Sequence, residues 1–159
     1  MAAKPLIDLD AIDLDTVIAT QAELYRFLKQ RNRFEVLSGL LHHDVEGGVI
    51  VGYTDVRKDA WWAEDHIPGR PIFPGALMVE AGAQLCTYDV HQRRDDMEEK
   101  FVGFGGLDRT RFRMTVEPDC RLLIVGCTKN LRSRMFTYSV QGFVERTLAF
   151  EAEIMGVIV

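Results

Sequence analysis

Two side chains in this sequence can trade protons, and the setting of each suits it to the exchange. Glu80 lies in a stretch, Ala76 to Tyr88, whose only other polar residues are Gln84 and Thr87. A carboxylate in such company needs a partner or a task, because burying a charge without compensation is costly. His66 stands fourteen residues earlier, in a run of prolines and glycines. A neutral imidazole accepts a proton near physiological pH, whereas burial favours the protonated form of a carboxyl, which can then donate one. Those are the two halves of general acid–base catalysis. At helical spacing Glu80, Gln84, Thr87 and His91 fall at i, i+4, i+7 and i+11, forming one polar stripe on an apolar rod. The stripe must face something polar. Gln84, one turn beyond Glu80, is within reach to hydrogen-bond its carboxyl and fix its orientation.

The rod is predicted to begin at Pro74-Gly75, a pair suited to a helix start, and to run to about His91, roughly 25 Å at 1.5 Å per residue. Its first backbone N–H groups have no intrahelical partner and carry partial positive charge, so the N–H of Gly75 is a candidate to hold developing negative charge. Upstream, Thr20-Gln21-Ala22-Glu23 reads as a capping box that opens a short helix through Leu24, Phe27 and Leu28. Phe34 to Val45 and Val49 to Val56 read as a hairpin turning at Glu46-Gly47-Gly48. Lys58 to Gly75 reads as a loop, and Arg93 to Lys100 as a polar link. Strands are then expected over Phe101 to Leu107, Thr110 to Val116, Arg121 to Lys129, Arg134 to Val144 and Leu148 to Val159. A helix this apolar must be covered nearly all round, and a curved antiparallel sheet wrapped about it would do that. The expectation is an α+β chain with an N-terminal segment, 1–33, and one domain, 34–159.

Composition narrows the class. With 159 residues, 47% hydrophobic and 27% charged, the chain suits one compact domain with a real core. A formal net charge of −5 argues against nucleic acid or an anionic membrane as the main partner. No apolar run approaches the roughly 20 residues that span a bilayer, and Met1-Ala2-Ala3-Lys4-Pro5 does not read as a signal peptide. The expected location is cytoplasmic. Cys86, Cys120 and Cys127 are odd in number and lack C-x-x-C spacing, which disfavours both a disulfide framework and a zinc site. His42 and His43 would project to opposite faces of a strand and make a poor metal pair. No metal site is expected. Those two histidines and His91 read as surface or packing residues.

The segment His66-x-Pro68-Gly69-Arg70-Pro71-x-x-Pro74-Gly75-x-Leu77-x-x-Glu80-Ala81-x-Ala83-Gln84 resembles the hot-dog-fold 3-hydroxyacyl-acyl-carrier-protein dehydratases of fatty-acid synthesis. Weaker similarity extends from about Phe34 to the C-terminus. The family usually has Gly-His-Phe-Pro-Gly where this chain has Asp65-His66-Ile67-Pro68-Gly69. The resemblance implies a hot-dog fold, a curved sheet around one long central helix, with His66 as catalytic base and Glu80 as catalytic acid. It implies that the two come from different subunits of a homodimer, some relatives assembling further as trimers of dimers. It also implies no cofactor beyond the phosphopantetheine that the substrate carries, on acyl carrier protein or as a coenzyme A thioester. Gly75, Gln84 and Phe73 are the expected substrate-binding residues.

Arg109, Arg111 and Arg113 alternate along an expected strand and would share one face. They are candidates for docking an acidic carrier protein, or else a solvated outer face. Asp65, next to His66 on an expected extended segment, should point away from it. Two other readings stay open. One is a hot-dog thioesterase or hydratase acting on acyl-coenzyme A. The hydratase pattern Asp-x4-His is absent, since Trp61 stands five before His66, and thioesterases lack the histidine-to-glutamate run. The other is a non-catalytic acyl-thioester binding protein, which would not need both ionisable groups.

Overall fold

The computed structural model describes residues 3–159. Thr20 caps the first helix, α1 (Gln21–Leu24): its hydroxyl accepts from the Glu23 N–H while the Glu23 carboxylate accepts from the Thr20 N–H. Such a cap contributes about 1 kcal/mol. The helix is shorter than expected, because Tyr25 to Phe27 leave it as turns. The expected long first strand is shorter too. Asn32–Phe34 forms a 3-10 turn, and only Gly39–Asp44 is strand, β2. On its outer side β2 pairs with a two-residue strand, β1 (Ala19–Thr20), and on its inner side with β3 (Val49–Val56).

The loop expected over Lys58 to Gly75 contains a short helix, α2 (Trp61–Asp65). After it comes the long helix α3 (Gly75–Arg93). Four long strands follow: β4 (Val102–Phe112), β5 (Cys120–Leu131), β6 (Met135–Val144) and β7 (Thr147–Ile158). Two separate strands were expected where β4 runs on. Instead of a turn, a bulge between Asp108 and Arg111 absorbs the irregularity, with Arg109 at φ 48°. All seven strands form one antiparallel sheet in the order β1-β2-β3-β5-β6-β7-β4, so β4 is an edge.

The sheet is apolar on both faces, and each face is covered by something different. Its concave side holds α3, with Leu85, Cys86 and Val90 fully buried against Ile50, Ile124, Tyr138 and Val140. On its convex side Leu41, Val51, Tyr53, Leu123 and Val125 make a second core with Leu9, and Ile7, Ile12 and Leu14 pack against it. This N-terminal strap is fastened by the Gln141 carboxamide, which accepts from the Leu6 N–H at 2.8 Å and donates to the Lys4 carbonyl at 3.0 Å. The aspartate-rich stretch before β1, part of the expected N-terminal segment, is thus a cover for the sheet.

Candidate active site

The loop carrying His66 is built by its prolines and glycines. Pro68-Gly69 occupies the centre of a tight turn closed by the Arg70 N–H on the Ile67 carbonyl at 3.0 Å. Gly69 lies at φ 81°, as the third residue of a type II turn requires. His66 itself ends α2, donating its backbone N–H to the Trp62 carbonyl at 2.9 Å, and its side chain is exposed. Its Nδ1 lies 3.0 Å from the Ile72 carbonyl oxygen. A carbonyl only accepts, so Nδ1 carries the proton and Nε2 of the neutral ring keeps its lone pair. Because Asp65 and His66 sit at a helix end, extended alternation does not separate them. Asp65 is exposed and makes no hydrogen bond or ion pair among the described residues. Of the two tryptophans, Trp62 is buried edge-on against Phe73 at 5.1 Å between ring centroids, while Trp61 is exposed.

Pro74 precedes the first helical residue of α3, Gly75, and its carbonyl accepts from the Leu77 and Met78 N–H groups at 2.9 and 3.1 Å. The N–H groups of Gly75 and Ala76 belong to the first turn, where no intrahelical acceptor exists. A β-carbon at Gly75 would stand 2.8 Å from the Phe112 ring of β4, so only glycine lets the helix start this close to the strand. Phe73 is buried in the core and donates its N–H to the Val116 carbonyl at 2.8 Å. It does not line the cleft that holds Glu80.

That cleft, about 220 Å³, has Glu80, Gln84 and Thr87 along its polar side and Phe101, Phe104 and Met155 among its apolar residues. Three members of the predicted stripe therefore share it. The fourth, His91, lines a neighbouring groove with Lys29 and Met97, where burial and the Lys29 charge lower its pKa. The Thr87 hydroxyl turns back on the Ala83 carbonyl at 2.8 Å. Glu80 is half-buried, and its Oε1 accepts from Gln84 Nε2 at 2.7 Å, the contact that helical spacing led us to expect. His66 is not among the residues lining this cleft.

The three arginines of β4 are answered unequally. Arg109 lies 3.3 Å from Glu153, and Arg113 donates to Glu151. Arg111 is exposed, and among the described residues its side chain donates only to the Thr110 carbonyl beside it. Simple alternation is broken by the bulge, yet Arg109 and Arg113 still reach carboxylates two residues apart on β7.

Sequence reasoning missed the second acid of α3. Asp89 is fully buried, with His43 Nε2 at 2.6 Å, Arg93 Nε at 2.7 Å and the Tyr138 hydroxyl donating to it. Burial opposes its charge most strongly, but the hydrogen bonds from His43, Tyr138 and Arg93 together hold the carboxyl below the usual aspartate value. His43 is thus a hydrogen-bond partner of a buried aspartate. The i, i+4 spacing of Asp89 and Arg93 was the one signal in the sequence. Among the described residues no cluster of three or more His, Cys, Asp or Glu could hold a metal, and no helix is long and apolar enough to cross a membrane.

Comparison with known proteins decides the family. Residues 28–153 match the model of the FabA-like domain. The chain belongs to the FabA-like dehydratase family. It is 34% identical over 131 residues to a 3-hydroxyacyl-[acyl-carrier-protein] dehydratase FabZ of Desulfotalea psychrophila, covering 81% of this chain and 86% of that one. The FabZ of Syntrophobacter fumaroxidans is 31% identical over 137 residues, covering 86% and 92%. Among solved structures, the dehydratase heterocomplex ApeI:P of Xenorhabdus doucetiae superposes with a TM-score of 0.72 at 12% identity, over 84% of this chain and 89% of that one. A mutant of the thioesterase PA1618 of Pseudomonas aeruginosa gives 0.64 at 10% identity, over 98% and 96%. Likenesses at such identities speak for the fold alone, and the fold of this FabA-like chain is the expected hot-dog.

Proposed function

We propose that the chain dehydrates 3-hydroxyacyl thioesters carried on the phosphopantetheine arm of an acyl carrier protein, in fatty-acid biosynthesis, with His66 as base and Glu80 as acid. One observation supports the two roles best: hydrogen bonding leaves one reactive atom free on each side chain. Nδ1 of His66 is committed to the Ile72 carbonyl, so Nε2 is the basic atom. Oε1 of Glu80 is committed to Gln84, so Oε2 is the atom that presents the proton.

Nε2 of His66 takes the proton from the carbon next to the thioester carbonyl. The electron pair left behind forms the new carbon–carbon double bond as the bond to the 3-hydroxyl breaks. That hydroxyl takes the proton of Glu80 and leaves as water, giving the trans-2-enoyl product, and transfer of the proton from His66 back to Glu80 resets the pair. While the first proton departs, negative charge grows on the thioester oxygen. The N–H of Gly75 at the positive end of α3 is suited to receive it. No step calls for a metal or redox cofactor, since the substrate brings its own pantetheine arm.

The two reacting groups come from different copies in this reading. His66 is exposed and absent from the cleft that holds Glu80 in its own chain. The edge strand β4 leaves Phe104, Leu107 and Phe112 exposed beside unpaired backbone, a surface suited to pairing with a second copy. A homodimer, itself able to assemble as a trimer of dimers, completes the site. Arg111 is the best placed of the three arginines to meet an acidic carrier, since Arg109 and Arg113 already face carboxylates. The reading includes a cytoplasmic location, consistent with cysteines that are all free.

The test follows the absorbance of the conjugated enoyl thioester with carrier-bound and coenzyme A substrates of several chain lengths. His66→Ala and Glu80→Gln should each lower kcat by about 10²–10⁴. Mixing the two inactive variants should restore part of the activity, since one of the two sites in a mixed dimer is intact. Turnover that survives either substitution would sink the assignment.

A further inference from the structure

We propose that Tyr25, which lies outside the segment matched by the family model, is a positioning residue that fixes through Gln84 which oxygen of Glu80 carries the catalytic proton. The inference rests on the acid role given to Glu80 above.

The argument is one of hydrogen-bond direction. Leu37 is fully buried, and its backbone N–H donates to the Tyr25 hydroxyl oxygen at 2.9 Å. An N–H can only donate, so Tyr25 accepts there and directs its own hydrogen elsewhere. That hydrogen goes to Oε1 of Gln84, 2.5 Å away. The exchange is sealed from solvent, Tyr25 being 6% and Gln84 1% exposed, so water offers neither group an alternative. Burial also pushes the phenol well above its ordinary value, so it remains a donor throughout the neutral range.

With its oxygen claimed, the Gln84 carboxamide has one possible orientation. Its NH₂ group spends one hydrogen on the Phe34 carbonyl at 2.8 Å and the other on Oε1 of Glu80 at 2.7 Å. Glu80 therefore meets a donor at Oε1, and a protonated Glu80 must place its hydrogen on Oε2. The chain of direction runs from the Leu37 N–H through Tyr25 and Gln84 to Glu80. Its first three groups have no freedom to reverse. Phe34, Leu37 and Tyr25 all come from the segment before β2, so that segment sets the proton of the acid although none of those side chains lines its cleft.

Two signed consequences follow. A donor at Oε1 favours the carboxylate, and each polarised bond in a chain strengthens the next. Weakening the Tyr25 bond must therefore move the alkaline limb of kcat to higher pH. Strengthening it must do the opposite.

The experiment uses the full chain in the enoyl-thioester assay. Tyr25→Phe is expected to lower kcat on the order of ten-fold, leave KM nearly unchanged and shift the alkaline limb of the kcat profile to higher pH. Gln84→Ala should do the same more strongly, and Tyr25→Phe added to Gln84→Ala should change nothing further. Because Tyr25→Phe leaves a buried N–H without a partner and can cost folded protein, 3-fluorotyrosine at position 25 supplies a second probe. It keeps the shape and makes a stronger donor, so the alkaline limb should move to lower pH. The proposal is overturned if neither probe moves the limb, if both move it the same way, or if the Tyr25→Phe loss adds in full to that of Gln84→Ala. Failure of Glu80→Gln to slow turnover would instead remove the acid role itself.

Discussion

Helix α3 carries two acids nine residues apart, Glu80 and Asp89, in opposite circumstances. Asp89 is sealed from solvent and has donors on both oxygens: His43 on one, Arg93 and Tyr138 on the other. Glu80 opens onto a cleft and, among the described residues, has a single donor, Gln84, on one oxygen. The contrast separates an acid that holds the fold from one that is left something to do. Satisfying every lone pair makes a buried charge tolerable, and it also leaves the group nothing with which to meet a substrate. Leaving one oxygen free costs some stability and makes chemistry possible.

The largest effects should come from exchanging what the two acids contribute. Glu80→Gln should remove activity by about 10²–10⁴ while leaving the thermal midpoint close to that of the parent. Asp89→Asn should do the reverse, costing about 3–5 kcal/mol of stability, because it leaves the Arg93 charge beside a neutral group and gives His43 and Tyr138 a weaker hydrogen-bond acceptor. Urea unfolding and specific activity measured on the same samples decide it. Equal losses in both measurements for both variants would break the comparison.

Acid sharpens it. The Asp89 carboxyl is held lower in the folded chain than its ordinary value, so its contribution is complete above about pH 4 and fades as pH falls through the folded value. The stability of Asp89→Asn should fall less steeply with acid than that of the parent over that window.

A smaller effect belongs to the start of the helix. Gly75→Ala drives a methyl into the Phe112 ring, at a cost of about 1–3 kcal/mol that adding Phe112→Ala should relieve. If the double variant is no more stable than Gly75→Ala alone, the contact is not what requires glycine. Smallest is the surface: Arg111→Glu should raise KM several-fold for carrier-bound substrate and leave coenzyme A substrates untouched, whereas an unchanged KM would return β4 to a plain solvated face.

What could be read in the sequence depended on how local its cause was. Helix α3, strand β3 and the last three strands show in the sequence as apolar runs between turn residues, because each is buried along much of its own length. The hydrogen bond from Gln84 to Glu80 was legible because one turn of helix separates them. Helix α2 was not, since five residues after an alanine without a capping hydrogen bond give almost no pattern. The bulge at Arg109 was read as a break between two strands, because a local irregularity and a turn look alike in sequence. Asp89 was passed over because His43 and Tyr138 lie 46 and 49 residues away from it. Tyr25 escaped for the same reason, standing 59 residues from Gln84. Partnerships of that span exist only once the sheet has folded round the helix.

The strap over the convex face gives the molecule a vulnerability remote from the cleft that holds Glu80. Its grip is a few aliphatic side chains, one carboxamide and the pairing of Arg146 with Asp10 at the rim. A protease cut in the exposed stretch Asp15 to Ile18 would free that cover and bare an oily plane on an otherwise intact protein. Damage there would be seen first as clumping and loss from solution, with turnover per surviving molecule little altered.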